Sequence, residues 1–326
     1  MNVKPDLTPE SWQYRDLNTR APSLSVLADT LIELADAGHP VAAGTADLQH
    51  SNGLVKFAKV YPERFVQFGI SEQNMVSAAA GIATTGMIPY VATFASFLGL
   101  LTCEQIRMDV AYCAQPVRLI GHHTGISMGF YGTSHHATED ISTMRAIADL
   151  TVVSPADGAQ LRQLLRHSAT YAQPIYFRTG RGHDPVVYAP DHTFSLGKAE
   201  VHRIGKDLTI VACGMAVHGA KQAMEALNAA GHSVGLIDMH TIKPLDVEAV
   251  TEAANASKVI LTVEEHNILG GLGSAVAEVM AENPTGARLK RHGIMDEYAL
   301  ISPPKRLYEH YKLDGDGIRQ VALGLL

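Results

Sequence analysis

Leu208-Thr-Ile-Val-Ala212, the run Ala216–Ala230, Gly231, and then Ser233-Val-Gly-Leu-Ile237 are the stretch that decides the fold. The first five residues read as a strand, the longer run as a helix stopped by Gly231, and Ser233–Ile237 as the next strand. Downstream the alternation continues: a helix at Asp246–Ala254, a strand at Val259–Val263 and a helix at Gly273–Glu282. Upstream the same rhythm is present. Leu24, Leu27, Leu31 and Leu34 recur at helical steps before Gly38, and Val41-Ala-Ala follows as a strand. Ser71 N-caps a helix that runs through the small residues Ala78–Ala83 to Gly86. Strands are expected at Ile88–Thr93, Val117–Gly121, Thr151–Val153 and Ile175–Arg178, with helices at Thr102–Cys113, Thr138–Ile147 and Asp157–Tyr171. Between Gly180 and Gly205 the periodicity breaks among Gly182, Pro185, Pro190 and Gly197, which reads as a linker. Strands alternating with helices imply parallel sheets covered on both faces. The expected fold is α/β, with two doubly wound domains of mostly parallel sheets at about 1–190 and 191–326.

Composition agrees with two packed cores. The chain has 326 residues, 46% apolar and 18% charged, which excludes disorder as its overall state. Its formal charge is −7. The one basic cluster, Arg288-Leu-Lys-Arg-His292, is too short for a nucleic-acid surface and reads as a solvated strand edge. Cys103, Cys113 and Cys213 show no CxxC spacing, and are expected to be buried apolar residues of a reduced, cytoplasmic protein. Met1-Asn-Val-Lys-Pro-Asp6 has no apolar signal core, and no run reaches the roughly 18 apolar residues of a membrane span.

The chemically informative segment is Phe68-Gly-Ile-Ser-Glu-Gln-Asn-Met75, continuing as Val76-Ser-Ala-Ala-Ala-Gly81. Glu72 stands in the first helical turn, where a carboxylate also simply suits the helix dipole. With its surroundings, the segment resembles the C-terminal half of the transketolase family. There, a glutamate followed by such residues hydrogen-bonds a ring nitrogen of the thiamine diphosphate aminopyrimidine. Gly44-Thr-Ala-Asp-Leu48 with Ser51-Asn52, Thr93-Phe-Ala-Ser-Phe97, Thr133-Ser-His135 with Glu139-Asp140, Glu264-Glu-His266 and Gly270-Gly-Leu-Gly-Ser-Ala275 extend the resemblance in order along nearly the whole chain.

The resemblance implies a pyrimidine-binding domain followed by a transketolase C-terminal-like domain. It implies that Glu72 is the catalytic carboxyl, held in an apolar pocket so that it can share a proton, with Phe94 and Phe97 as the pocket's aromatic wall and Asp47 near the cofactor. His135 and His123 are the implied substrate-facing histidines, a residue type suited to proton transfer near neutral pH. Their neighbours His122 and His136 could share those roles. Arg20, Ser51 and Arg178 are the implied cradle for the sugar phosphate, since converging guanidinium groups bind a phosphate through charge-assisted hydrogen bonds. Arg181 is a nearby competitor for that role.

Two departures carry information. The larger domain that binds the diphosphate and its divalent metal is missing. Gly315-Asp316-Gly317 looks like the start of that signature, but the required asparagine cannot follow within ten residues of Leu326, and the glycines are expected to form the turn before a terminal helix. Gly271-Leu-Gly273 half-matches a dinucleotide fingerprint, but Val276 occupies the third glycine position. The resemblance therefore implies a split enzyme. An N-terminal-type partner chain would supply the Mg2+ or a similar metal, in an α2β2 assembly. Second, Phe130-Tyr131 stands where the family usually has an acidic pair, so the donor is expected to be a branched, deoxy or otherwise modified ketose phosphate, read in part by Tyr131. The competing expectations are a 2-oxoacid dehydrogenase β subunit, half of a deoxyxylulose-phosphate synthase, and a regulatory protein without catalysis.

Overall fold

The computed structural model describes residues 20, 21, 23–181 and 184–326. A seven-stranded sheet runs in the order Thr241–Lys243, Thr151–Val153, Ile175–Arg178, Arg118–His122, Ile88–Phe94, Val41–Thr45, Phe65–Gln67. Every pairing in it is parallel except that of Thr241–Lys243, which lies antiparallel to Thr151–Val153. The second sheet has five strands, in the order Arg288–Ile294, Val259–Asn267, Leu208–Ala212, Val234–Asp238, Glu200–Arg203, with only the last antiparallel. Val41–Thr45 and Leu208–Ala212 are buried along their whole length, as central strands covered on both faces must be. The helix Ser23–Asp36 shows how the sequence pattern becomes packing. Its Leu27, Leu31 and Leu34 are buried against Val41, Ala43 and Tyr90 of the sheet.

Several expectations shift. The first sheet is completed by a strand from far along the chain, Thr241–Lys243, that periodicity alone did not mark. The expected helix at 102–113 is a single α turn, Cys103–Gln105, continued by a π-helical stretch, Ile106–Tyr112. Its Ile106, Val110 and Ala111 still reach the core. Gly315-Asp316-Gly317 does not precede the terminal helix but opens it. The helix spans Gly315–Leu323, and Asp314 caps it by accepting from Gly317 N–H at 2.9 Å. Of the three cysteines only Cys213 is buried; Cys103 is half-buried and Cys113 exposed, correcting the expectation for both. No helix among the described residues is long and apolar enough to cross a membrane.

Candidate active site

Parallel strands bring their carboxyl ends to one edge, and there the sequence's polar and aromatic residues collect. In register, Phe94 faces His122 across adjacent strands, and Thr45 faces Ala92. The strand Ile88–Phe94 passes directly into the helix Ala95–Leu100, so Phe94 and Phe97 sit one turn apart and meet edge to face at 5.5 Å. Around Phe94 the ring centroids of His122, His123 and His135 lie at 4.9, 5.0 and 5.4 Å. His135 also contacts Phe97 at 5.3 Å and Tyr131 at 4.7 Å. Five of the expected residues, Phe94, Phe97, His123, Tyr131 and His135, thus form one aromatic cluster.

Glu72 begins the helix Glu72–Ala83, whose Met75, Val76, Ala79, Ala80 and Ala83 are buried at helical spacing against the sheet. That packing sets Glu72 beside the strand end next to Phe94. It is 9% exposed, and Thr93 donates to its Oε1 at 3.4 Å. Asp47 and Ser51 lie on the loop after Val41–Thr45. The loop is tied down by Asn52, which donates to Thr45 Oγ1 at 2.7 Å. Asp47 is exposed, with a left-handed φ of 59°, and its N–H donates to Gln67 Oε1 at 2.6 Å. Ser51 is half-buried. The side chain of Arg20 lies outside the described residues.

The imidazoles differ in surroundings. Burial pushes His122 down to about 3, so its ring is neutral; its Nδ1 lies 2.6 Å from Nδ1 of His123, one donating and the other accepting. Desolvation lowers His135 as well, and its Nδ1 is 2.9 Å from Ser134 Oγ. His136, lowered by burial, points away from the cluster onto the Gly129 carbonyl at 3.2 Å. The four histidines are therefore not equivalent.

Arg178 is the main correction. Its side chain is 1% exposed, and its Nε donates to Asp140 at 3.0 Å. Its Nη2 donates to the carbonyls of Ala137 at 3.1 Å and Glu265 at 2.8 Å. Burial opposes its charge, but the Asp140 and Glu265 carboxylates more than offset that and raise its pKa. With Tyr176 donating to Asp140 at 2.8 Å, this group rivets the two halves of the chain together and has no access to a substrate phosphate. The guanidinium that does approach the cluster is Arg181, which lies 5.3 Å from the Phe130 ring; Phe130 in turn contacts Tyr131 at 4.8 Å. The sequence offered both arginines, three residues apart; what separates them is that Arg178 still belongs to the strand Ile175–Arg178 and Arg181 lies beyond it.

Glu264-Glu265-His266 forms part of the same seam. Glu264 is pushed up to about 7 by burial and accepts from Leu272 and Gly273 N–H at 2.7 and 2.8 Å, capping the helix Leu272–Glu282. Burial also raises Glu265 to about 7 and lowers His266 to about 4. Among the described residues no group of three or more His, Cys, Asp or Glu could hold a metal ion.

A doubly wound sheet with a buried carboxyl and an aromatic–imidazole cluster at its carboxyl edge defines a cofactor-dependent α/β transferase site. The sequence pattern described as the transketolase pyrimidine binding domain matches residues 22–185, and that of the transketolase C-terminal domain matches residues 197–318. The chain belongs to the transketolase family, as the half made of these two domains, and is a subunit of a transferase. It is 40% identical over 296 residues to one of the two chains of an apulose-4-phosphate transketolase from Phocaeicola vulgatus, covering 90% of this chain and 94% of that one. It is 34% identical over 294 residues to a chain of a 6-deoxy-6-sulfo-D-fructose transketolase from a Clostridium species, covering 90% and 91%. A solved structure described as "Split gene transketolase, inactive beta4 tetramer" superposes with a TM-score of 0.84 at 35% identity, covering 95% of this chain and 99% of that one.

Membership carries dependence on thiamine diphosphate, and the split relatives imply a partner chain within a multimer. The residues present fit the cofactor's pyrimidine. Glu72 is a buried carboxylate whose hydrogen bond to Thr93 is long, and the ring wall beside it suits a flat heterocycle.

Proposed function

We propose that this chain is completed by an N-terminal-type transketolase chain carrying the diphosphate and its divalent metal, in a cytoplasmic assembly of two copies of each, with its own two domains meeting near residue 190. The observation that carries the reading is the convergence of Glu72, the Phe94–Phe97 wall and the two imidazoles of His123 and His135 at one sheet edge. Thiamine diphosphate, when bound, supplies the nucleophilic carbon that accepts the two-carbon ketol unit.

Glu72 shares a proton with a pyrimidine ring nitrogen, while Phe94 and Phe97 exclude water from that carboxyl. Asp47, on the tethered loop, contributes to the cofactor's surroundings. His135 is held neutral by desolvation, so it is ready to accept a proton from a donor hydroxyl. His123 contacts the same oxygen region. Arg181, rather than Arg178, meets the substrate's terminal anion together with Ser51 and Arg20. Relatives named for apulose 4-phosphate and for 6-deoxy-6-sulfofructose support a donor that ends in an anion and departs from the ordinary ketose pattern. Tyr131 in place of a carboxylate supports the same reading, since it offers bulk and a neutral hydrogen bond.

The test is a thiamine diphosphate titration by calorimetry on the chain alone and on the chain with its co-purified partner, in Mg2+. Binding is expected only with the pair; full-affinity binding to the isolated chain would overturn the split assembly. His135→Ala is expected to slow transfer about 10²-fold or more and to leave cofactor affinity unchanged. Equal losses in both would remove its substrate role.

A further inference from the structure

The loop 124–136 carries Tyr131 and His135, yet much of what holds it belongs to the other half of the chain. Ile126 N–H donates to Glu265 Oε1 at 2.8 Å, and the Tyr308 hydroxyl donates to the same oxygen at 2.5 Å. The turn Gly129–Tyr131 packs on the helix Pro304–His310. Three glycines of the loop, all with positive φ, mark where the second domain presses in. A Cβ at Gly125 would lie 2.1 Å from Glu265 Cδ, one at Gly129 would lie 2.4 Å from the Ser302 carbonyl oxygen, and one at Gly132 would lie 2.8 Å from Ile301 Cδ1. Only residues without a side chain permit such approaches in that conformation.

Ile301 is 69% exposed, so its contact with Gly132 is not ordinary core burial. Gly132 directly follows Tyr131, which is itself 53% exposed and rests 4.7 Å from the His135 ring. An isoleucine on the surface thus bounds the backbone that aims Tyr131.

We propose that Ile301 and the Glu265–Tyr308 pair are positioning residues for donor recognition, by which the C-terminal domain sets where Tyr131 stands beside His135. The proposal rests on the reading that Tyr131 and His135 face the donor. It gives the C-terminal domain a part in specificity rather than in assembly alone.

The experiment is a double-mutant cycle of Ile301→Ala and Tyr131→Ala in the complex with the partner chain. The donor is whichever of xylulose 5-phosphate, fructose 6-phosphate and apulose 4-phosphate the wild-type pair uses fastest. Ile301→Ala is expected to raise the donor KM roughly tenfold, a loss of the size small misplacements cause, with the acceptor KM and the thiamine diphosphate affinity unchanged. The double variant should be no worse than Tyr131→Ala alone, because both act through one side chain. Additive losses, or a wild-type donor KM for Ile301→Ala beside a raised one for Tyr131→Ala, would overturn the proposal and leave the donor reading standing. A silent Tyr131→Ala would overturn both. Tyr308→Phe supplies the second arm: a raised donor KM supports positioning, and lowered stability with an unchanged donor KM refutes it.

Discussion

Glu72→Gln in the assembled enzyme is expected to reduce ketol transfer by about 10²–10⁴-fold, the span over which a positioned acid–base group acts. The substitution keeps size and shape, and the amide oxygen can still accept the hydrogen bond from Thr93. What it removes is the ability to share a proton with a ring nitrogen. Stability should barely move. A carboxylate in the first turn of Glu72–Ala83 contributes about 0.3–1 kcal/mol through the helix dipole, and the buried face of that helix begins at Met75. Single-turnover transfer, thiamine diphosphate affinity and far-UV circular dichroism separate these effects. A wild-type transfer rate at saturating cofactor would remove Glu72 from the mechanism. A collapse of the dichroism signal would mean that the carboxyl serves folding instead.

Local pattern made most of the elements legible. The steps of Leu27, Leu31 and Leu34 and the uniformly buried runs Val41–Thr45 and Leu208–Ala212 follow from burial on one face or on both. Elements that depend on distant partners were not legible. Thr241–Lys243 is three residues long and is a strand only because Thr151–Val153 lies beside it, and Phe65–Gln67 is held by Val41–Thr45 alone. The π-helical stretch Ile106–Tyr112 carries apolar residues that read equally well as α-helix.

The same division holds in the site. Phe94, Phe97, His123, Tyr131 and His135 come from segments whose order along the chain marked them, and the sheet register brings them together. Arg178 was misread because no local feature reveals that Asp140 waits behind it. An arginine at a strand end can face outward to an anion or inward to a carboxylate, and only the tertiary partner decides. The second domain's grip on the loop 124–136 was hidden for the same reason, since Glu265 and Ile126 are 139 residues apart.

Arg178→Met provides the second large effect, and it should appear in stability. The residue is fully buried, paired to Asp140, and bonded to the carbonyls of Ala137 and Glu265. Methionine fills part of the volume but leaves Asp140 as a buried charge with only Tyr176 donating nearby, and leaves two carbonyls short of a donor. Breaking a buried pair on one side costs about 3–5 kcal/mol. Urea unfolding of the chain, followed by circular dichroism, should show that loss as a lowered midpoint. Asp140→Asn combined with Arg178→Met should recover part of it, because the stranded charge is gone. If Arg178 instead gripped the substrate's anion, the midpoint would stay at its wild-type value while the donor KM in the assembled enzyme rose steeply. The ion pair has a further consequence: Glu265 accepts from Arg178 through its carbonyl while its carboxyl holds Ile126. Loss of the arginine should therefore loosen the loop that carries Tyr131. In a variant kept folded by low temperature, donor KM would then rise as a secondary effect of the broken seam, in proportion to the lost stability and without any change in the salt dependence of donor binding. A direct phosphate contact would change that salt dependence, so the two origins of a raised KM separate in one titration.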